Sequence, residues 1–377
     1  MVQRSLLLMM LLPSWDPSAA RTISPSCSAE DADCTAAVMH ALDTAGREGG
    51  GTVVLAPRPN SLPWIVTDSP TRGGAGLKVG FNHSNVRLVI KSGGVLQAKR
   101  GAFLRPAAPL LLIENATNFS LSGYGARMQM WRADYNDSSR YVPSGDRHGI
   151  MVAGSSHILI EGVTVDSSGG DGLIVAVRKC AEDGSEPGCY KRELAGLYPQ
   201  STNITVRDCT FTRNRRQAMT VESAETLLVT NCLFEATGSD GLGTDPMAGV
   251  DIEPPYRAFL RDITFRDCRA VANTGCGYSV YLSEFNHSHG PLGPITFDNC
   301  SVQGTGSAKP DAGAAQESQA GYVFGAMYPG MTGTISVRGG KVENTRLAVR
   351  KRLFCATLIA YKTIHLPRQA RDKHRGN

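Results

Sequence analysis

One unit is written three times between His157 and Tyr256, and this repeat constrains the fold more than any single motif. The copies read HILIEGVTVDSSGGDGLIVAV from His157, NITVRDCTFTRNRRQAMTVES from Asn203, and TLLVTNCLFEATG from Thr226, the last closing with AGVDIEP from Ala248. Looser echoes begin at Arg261, Gly293 and Gly333. Within a unit, Ile204, Val206, Cys209 and Phe211 alternate with polar residues, and Met219 and Val221 follow after a polar turn. That is period-two patterning over short runs, the signature of strands. The spacing is elastic: Cys209 and Cys232 are 23 residues apart, and Cys268 and Cys300 follow at 36 and 32. Loops between strands absorb such insertions and a helical core does not. The expectation is an all-β chain, a single right-handed parallel β-helix with one unit per coil. Parallel strands stack about 4.8 Å apart, so equivalent residues of successive units become neighbours. A β-sandwich with accidental similarity would instead require hairpin turns.

The ends read differently from the middle. MVQR followed by SLLLMMLL and then small residues up to Ala20 has the form of a signal peptide over residues 1–20. Its apolar run is too short to span a bilayer. Seven Asn-X-Ser/Thr sequons, at Asn82, Asn115, Asn118, Asn136, Asn203, Asn286 and Asn299, fit a secreted or extracellular glycoprotein. The repeat domain is expected over residues 27–345. Residues 346–377 break the pattern and read as a flexible basic tail or a mis-assigned exon. That tail carries nine Lys/Arg and one Asp, a net of +8, so the formal +5 of the whole chain leaves the rest at −3. The body is mildly acidic, and nucleic acid is excluded as a partner on that ground. Cys27 with Cys34, and Cys180 with Cys189, are close pairs in polar surroundings, expected as disulfides. Cys209, Cys232, Cys268 and Cys300 share one apolar-flanked position, expected as a buried file of small hydrophobes. No metal site is expected from them.

Asp31 to Arg47 reads as an amphipathic helix capped by Asp33, with Ala37, Val38, Ala41, Leu42 and Ala45 on one face. The run DCTAAVMHALDTAGREGGGTVVLAP resembles the opening of secreted β-helix proteins of the pectin-lyase-like superfamily, in which a capping helix covers the first coil. The strings SSGGDGLIV, TRNRRQAMTVES and MAGVDIEP resemble the linked GGDG, N-x-R-Q-G and AGIDxEP segments of a group of those proteins with presumed polysaccharide substrates. The likeness runs from about residue 30 to 345. It departs at Ala218, where Gly is usual, and at Pro255, where a polar residue is common. The resemblance implies a polysaccharide or glycan partner and leaves the reaction open, because one fold hosts many chemistries.

Register then places the chemistry. Aligning the segments around Met151, Ile174, Thr220, Asp251 and Ser279 puts those residues on an outward file. Ala153, Ala176, Glu222, Glu253 and Tyr281 form the neighbouring file. Glu222 and Glu253 fall one rung apart, about 4.8 Å at the backbone, and Asp251 and Glu253 about 6.6 Å apart on one face. Three carboxylates this close do not all ionise cheaply, so at least one pKa should rise. A protonated acid beside an ionised carboxylate is what glycoside hydrolysis uses. Asp251, Glu253 and Glu222 are therefore the candidate catalytic residues. Arg216, His148, Asp171, Arg147, Tyr281 and Tyr256 are the candidate substrate contacts. Asp171 would orient His148, and the loops carrying Asp240 and Asp245, and Cys180 and Cys189, would wall the cleft. Met128 to Pro143 is either a packed loop or a set of aromatic sugar platforms at Trp131, Tyr135 and Tyr141. The same carboxylates as a solvated ladder with arginines, or as a Ca²⁺ site, are the competing readings; no other cofactor is implied. Motifs of uronate epimerases, polygalacturonases, nucleotide-binding loops, zinc peptidases and serine hydrolases are missing. The expected function is a glycoside hydrolase acting as a monomer. The alternatives are a uronate lyase, with Tyr281 or Tyr256 as base beside Arg216, and a non-catalytic glycan-binding or surface structural protein.

Overall fold

The computed structural model describes residues 21–28, 30–176, 200–255, 258–283, 285, 292–306, 320–327, 331–345, 347–353 and 359–362. Every strand pairing among them is parallel, and the pairings gather into two sheets. A nine-stranded sheet takes one strand from each coil, from Leu77–Val79 at one end through Met219–Val221 and Val250–Ile252 to Leu347–Leu353. The larger sheet takes two strands per coil, such as Ala224–Thr230 and Leu233–Glu235, joined across a corner. Three strands per turn make a three-sided right-handed β-helix. Strands Leu347–Leu353 and Ile359–Lys362 continue both ladders, so parallel pairing runs past the point where the sequence repeat breaks.

Alternation fills the interior. Phe211, Phe234, Phe265 and Phe297 are fully buried on consecutive coils, with ring centroids 5.3–6.5 Å apart. The four cysteines of the repeat are buried beside them as free thiols, their Sγ atoms facing backbone carbonyls. In the central coils the corner between the two strands of the larger sheet takes a left-handed backbone, which costs most residues about 1–2 kcal/mol and Asn or Asp least. Asp208, Asn231, Asp267 and Asn299 fill it, at φ 57°, 51°, 54° and 52°. Their side chains also bond along the stack: Asn231 donates to Asp208 and Asn299 to Asp267, each at 2.7 Å.

The open end of the first coil is covered by the helix Thr35–Arg47, which buries Val38, Ala41, Leu42 and Ala45. It begins at Thr35, four residues after the expected start. Asp33 still serves its first turn by accepting the Thr35 N–H at 2.9 Å. Cys27 and Cys34 form a disulfide that fixes the chain immediately before the helix. No helix among the described residues is long and apolar enough to cross a membrane.

Candidate active site

The outward face of the nine-stranded sheet gathers the polar residues. Strand register pairs Ile174 with Thr220, Thr220 with Asp251, and Asp251 with Ser279, as the alignment of repeats requires. Val250 and Ile252, on either side of Asp251, belong to the core, so the carboxyl points away from it. The ladder runs one step further at its end, where Glu253 N–H donates to the Val221 carbonyl at 3.2 Å and Glu222 N–H to that of Val175 at 2.9 Å. Glu222 and Glu253 thus follow one another on adjacent coils, with Tyr281 next in file beyond the Ile252–Val280 pair.

Burial divides this face. Asp251 is only 2% exposed, and Asp171, Gln217 and Thr220 are fully buried. Arg216 and Glu253 keep about a quarter of their side chains in solvent, and Tyr281 stands 39% exposed. Of the three carboxylates expected together on this face, Asp251 lies on a buried floor beside Asp171, whereas Glu222 and Glu253 are half-buried at the rim.

Gln217 ties the floor together. Its backbone N–H donates to Asp171 Oδ1 at 3.1 Å and its Nε2 donates to Asp251 Oδ2 at 3.2 Å. Thr220 Oγ1 donates to Asp171 Oδ2 at 3.0 Å. Arg216 spans floor and rim: Nη2 meets Glu253 Oε1 at 2.5 Å, and Nη1 lies 3.9 Å from Asp171 Oδ2. Burial pushes the Asp171 carboxyl up to about 8, against the pull of Arg216 and Thr220. Burial, reinforced by the charge of Glu253, pushes Asp251 up to about 7. Burial works against the charge of Arg216, but Asp171, Glu253 and Asp251 outweigh it and hold the guanidinium above its ordinary range. Two carboxyls are thus raised, chiefly through loss of water rather than through mutual repulsion.

His148 is buried beside this network. Its Nδ1 accepts the Asp171 N–H at 3.1 Å and lies 3.4 Å from Asp171 Oδ2. The GGDG turn is shaped by close approach. A Cβ at Gly170 would come 2.1 Å from the Gly145 carbonyl oxygen, and one at Gly169 would strike the Tyr135 ring at 2.4 Å. Only glycines let the turn settle low enough to bury Asp171.

Arg147 lies away from this face. It is fully buried, and its guanidinium donates to the carbonyls of Phe103, Leu104 and Val142. Those donors are spent on the backbone, which removes Arg147 from the substrate contacts. Tyr135 and Tyr141 are buried edge-to-face against each other, and Trp131 Nε1 donates to the Ala98 carbonyl, so that excursion is a packed loop. Asp240 sits 3.3 Å from Arg132. Tyr256, Cys180, Cys189 and Asn286 lie outside the described residues. Of the other sequons, Asn82, Asn118, Asn136, Asn203 and Asn299 are exposed and Asn115 is half-buried. Among the described residues no group of three His, Cys, Asp or Glu side chains is placed to hold a metal ion. Gln217, Thr220 and Ser279 are the members that sequence reasoning left without a role, although their place in file with Asp171 and Asp251 was readable.

Residues 142–324 match the family described as right handed beta helix region. The chain folds as a right-handed β-helix. The matched residues include the whole carboxylate network from His148 to Glu253. Among curated relatives, it is 27% identical over 235 residues to the SPbeta prophage-derived uncharacterized protein YorA of Bacillus subtilis, covering 58% of this chain and 37% of that protein. It therefore spans a little over a third of the length of the curated relatives it matches. Among solved structures, a double mutant of the tailspike of E. coli bacteriophage HK620 in complex with a pentasaccharide superposes with a TM-score of 0.56 at 12% identity, over 93% of this chain and 63% of the other. A 1,3-α-1,4-β-D-galactose-4-sulfate-3,6-anhydro-D-galactose-2-sulfate 4-galactohydrolase gives 0.55 at 13%, over 86% and 72%. The tailspike protein gp49 of Acinetobacter baumannii bacteriophage Fri1, a capsular polysaccharide depolymerase, gives 0.50 at 15%, over 92% and 61%. At such identities these likenesses speak to the fold.

Proposed function

We propose that this β-helix cleaves a glycan by hydrolysis on the outward face of its nine-stranded sheet. The observation that carries the reading is the pairing of two unlike carboxyls two residues apart. Asp251 is buried and holds its proton up to about pH 7, whereas Glu253 stands at the rim as the ion-pair partner of Arg216. A buried acid raised in this way, beside a rim carboxyl held by an arginine, would supply a proton donor for the leaving oxygen and a second carboxyl for the opposite side of the sugar. Arg216 keeps Glu253 oriented, Gln217 fixes Asp251, and Tyr281 offers an exposed ring beside the rim for a sugar to stack on. That solved proteins of like fold are described as a polysaccharide depolymerase, a galactohydrolase and a tailspike bound to a pentasaccharide supports a glycan as the ligand. The Cys27–Cys34 disulfide and the exposed sequons support a site of action outside the reducing cytoplasm.

The test is incubation of the purified protein with a panel of neutral, uronate-containing and sulfated polysaccharides, following both reducing ends and the absorbance of unsaturated uronates. Reducing ends formed by wild type and abolished in Asp251→Asn and Glu253→Gln support hydrolysis. Unsaturated products would replace it with elimination, with Tyr281 as base. Binding of a glycan without any product would leave the face a recognition surface.

A further inference from the structure

The short turn Phe81–His83, between strands Leu77–Val79 and Val86–Ile90, has a feature that neither the core nor the candidate active site uses. Phe81 is 78% exposed, the most exposed of the large apolar side chains described. The turn that carries it is tied down on both sides. The His83 N–H donates to the Gly80 carbonyl at 2.8 Å, and the Ser84 hydroxyl donates to that of Phe81 at 2.9 Å. The buried His83 ring accepts the Gly80 N–H at Nδ1, 3.1 Å away, and its Nε2 lies 2.9 Å from Asp43 Oδ1 of the capping helix. Gly46 lets turn and helix meet, since a Cβ there would collide with the Asn82 carbonyl oxygen. Between them lies a cleft of about 460 Å³, lined by Asp43, Arg47 and Gly49 on the helix side and by Phe81, Asn82 and Asn85 on the turn. One aromatic ring beside a carboxylate, a guanidinium and carboxamides suits a sugar, which has an apolar C–H face and a polar edge. Asn82-His83-Ser84 is also a sequon, and Asn82 is exposed. At two other sequons, Asn118 and Asn299, Nδ2 is already donated to Asn85 and Asp267 along the corners of the coils.

We propose that this cleft seats a sugar carried by the chain itself, an N-acetylhexosamine linked to Asn82, with its ring on Phe81 and its polar groups beside Asp43 and Arg47. The proposal rests on the export argued above and asks nothing of Asp251 or Glu253. A tether one side chain long makes the contact intramolecular, so weak stacking is enough to fill the cleft. The linkage is made by a glycosyltransferase of the export route from a lipid diphosphate donor. The Asn82 Nδ2–C1 bond forms, the bond from C1 to the diphosphate oxygen breaks, and one amide proton passes to the transferase's base. Once seated, the sugar covers Phe81 and staples the turn to the capping helix.

The full chain is produced by secretion from cultured animal cells, and glycopeptide mass spectrometry should find Asn82 occupied. Asn82→Gln should lower Tm by about 2–4 °C, the size expected of one lost aromatic stack in a chain of this length. In the Phe81→Ala background the same substitution should shift Tm by less than half as much. Phe81→Leu, apolar without an aromatic face, gives the same comparison if Phe81→Ala is secreted poorly. Ser84→Thr keeps both the sequon and the hydroxyl, and should leave occupancy and Tm unchanged. Protein in the medium with Cys27–Cys34 closed and Asn82 bare would overturn the proposal while leaving export intact. An equal loss of Tm with and without the Phe81 ring would overturn it as well, because the sugar would then sit elsewhere. Chain retained in the cytosol with Asn82 bare would overturn both the seat and the export it rests on.

Discussion

Arg216 is the residue on which the candidate site turns, because it touches both the rim and the floor. Its contact with Glu253 holds one carboxylate at the surface, and its charge tempers the rise of Asp171. Asp251 receives a neutral amide from Gln217 instead, and burial dominates it. If Asp251 acts as proton donor, kcat/KM on a cleaved glycan should fall as pH rises above about 7, and Asp251→Asn should lower kcat at least a hundredfold with little change in glycan affinity. Equal losses in affinity and turnover would argue that Asp251 only shapes the surface. The same burial has a consequence for stability that needs no substrate. Asp171 and Asp251 are raised in the folded chain to about 8 and about 7, above their ordinary value of 3.8. Between about pH 4 and pH 8 the folded state therefore holds protons that the unfolded state has released. Stability should be greatest below that window and decline as pH rises through it. The midpoint of urea unfolding should drop from pH 5 to pH 8 in wild type, and the drop should be smaller in Asp171→Asn and in Asp251→Asn. An unchanged slope in both variants would mean that the pH dependence arises elsewhere.

At the scale of strands and corners, the architecture was legible and the covering of its faces was not. Alternation about Cys209, Phe211, Met219 and Val221 told which side chains enter the core, and the repeat told which residues stack, so the Thr220–Asp251–Ser279 file followed directly. Period two says which side of a sheet a residue takes. It is silent on what lies over that side, so the register put Asp251 and Glu253 on one outward face without telling that the first stands on a buried floor and the second at the rim. The same blindness affects Tyr135, Tyr141 and Arg147: residue types suited to sugar binding are equally suited to a buried cation–aromatic knot, and only packing distinguishes the two. The corners were hidden for another reason, since a left-handed residue leaves its mark in backbone angle rather than in hydropathy. Asn231 makes this testable. It holds φ at 51° and bonds to Asp208, so Asn231→Ala should cost about 2 kcal/mol through strain and the lost bond together. Asn231→Gly should recover the strain and not the bond, placing it between the two in denaturant midpoint. Equal destabilisation by both would show that the side-chain bond alone matters.

Across the whole molecule, each coil touches only its neighbours, so stability is a chain of local interfaces and the ends set its limits. The Thr35–Arg47 helix closes one end: Val38, Leu42 and Ala45 are completely buried against the first coils, and the Cys27–Cys34 bridge anchors the helix where it begins. Removing part of that lid should act where the lid is. Leu42→Ala takes apolar bulk from a fully buried position and should cost about 2–5 kcal/mol locally. In a globular core that loss would appear everywhere at once. In a solenoid it should loosen amide-exchange protection in the first coils, at Gly51–Leu55 and Val86–Ile90, while the central strands Ala224–Thr230 and Leu260–Arg266 keep theirs. The carboxylate network lies on those central coils, several interfaces from the lid, so the proposed glycan binding should survive a substitution that frays the end. A uniform loss of protection along all coils would show instead that the β-helix unfolds as one cooperative unit, and that the lid and the candidate site share a single stability.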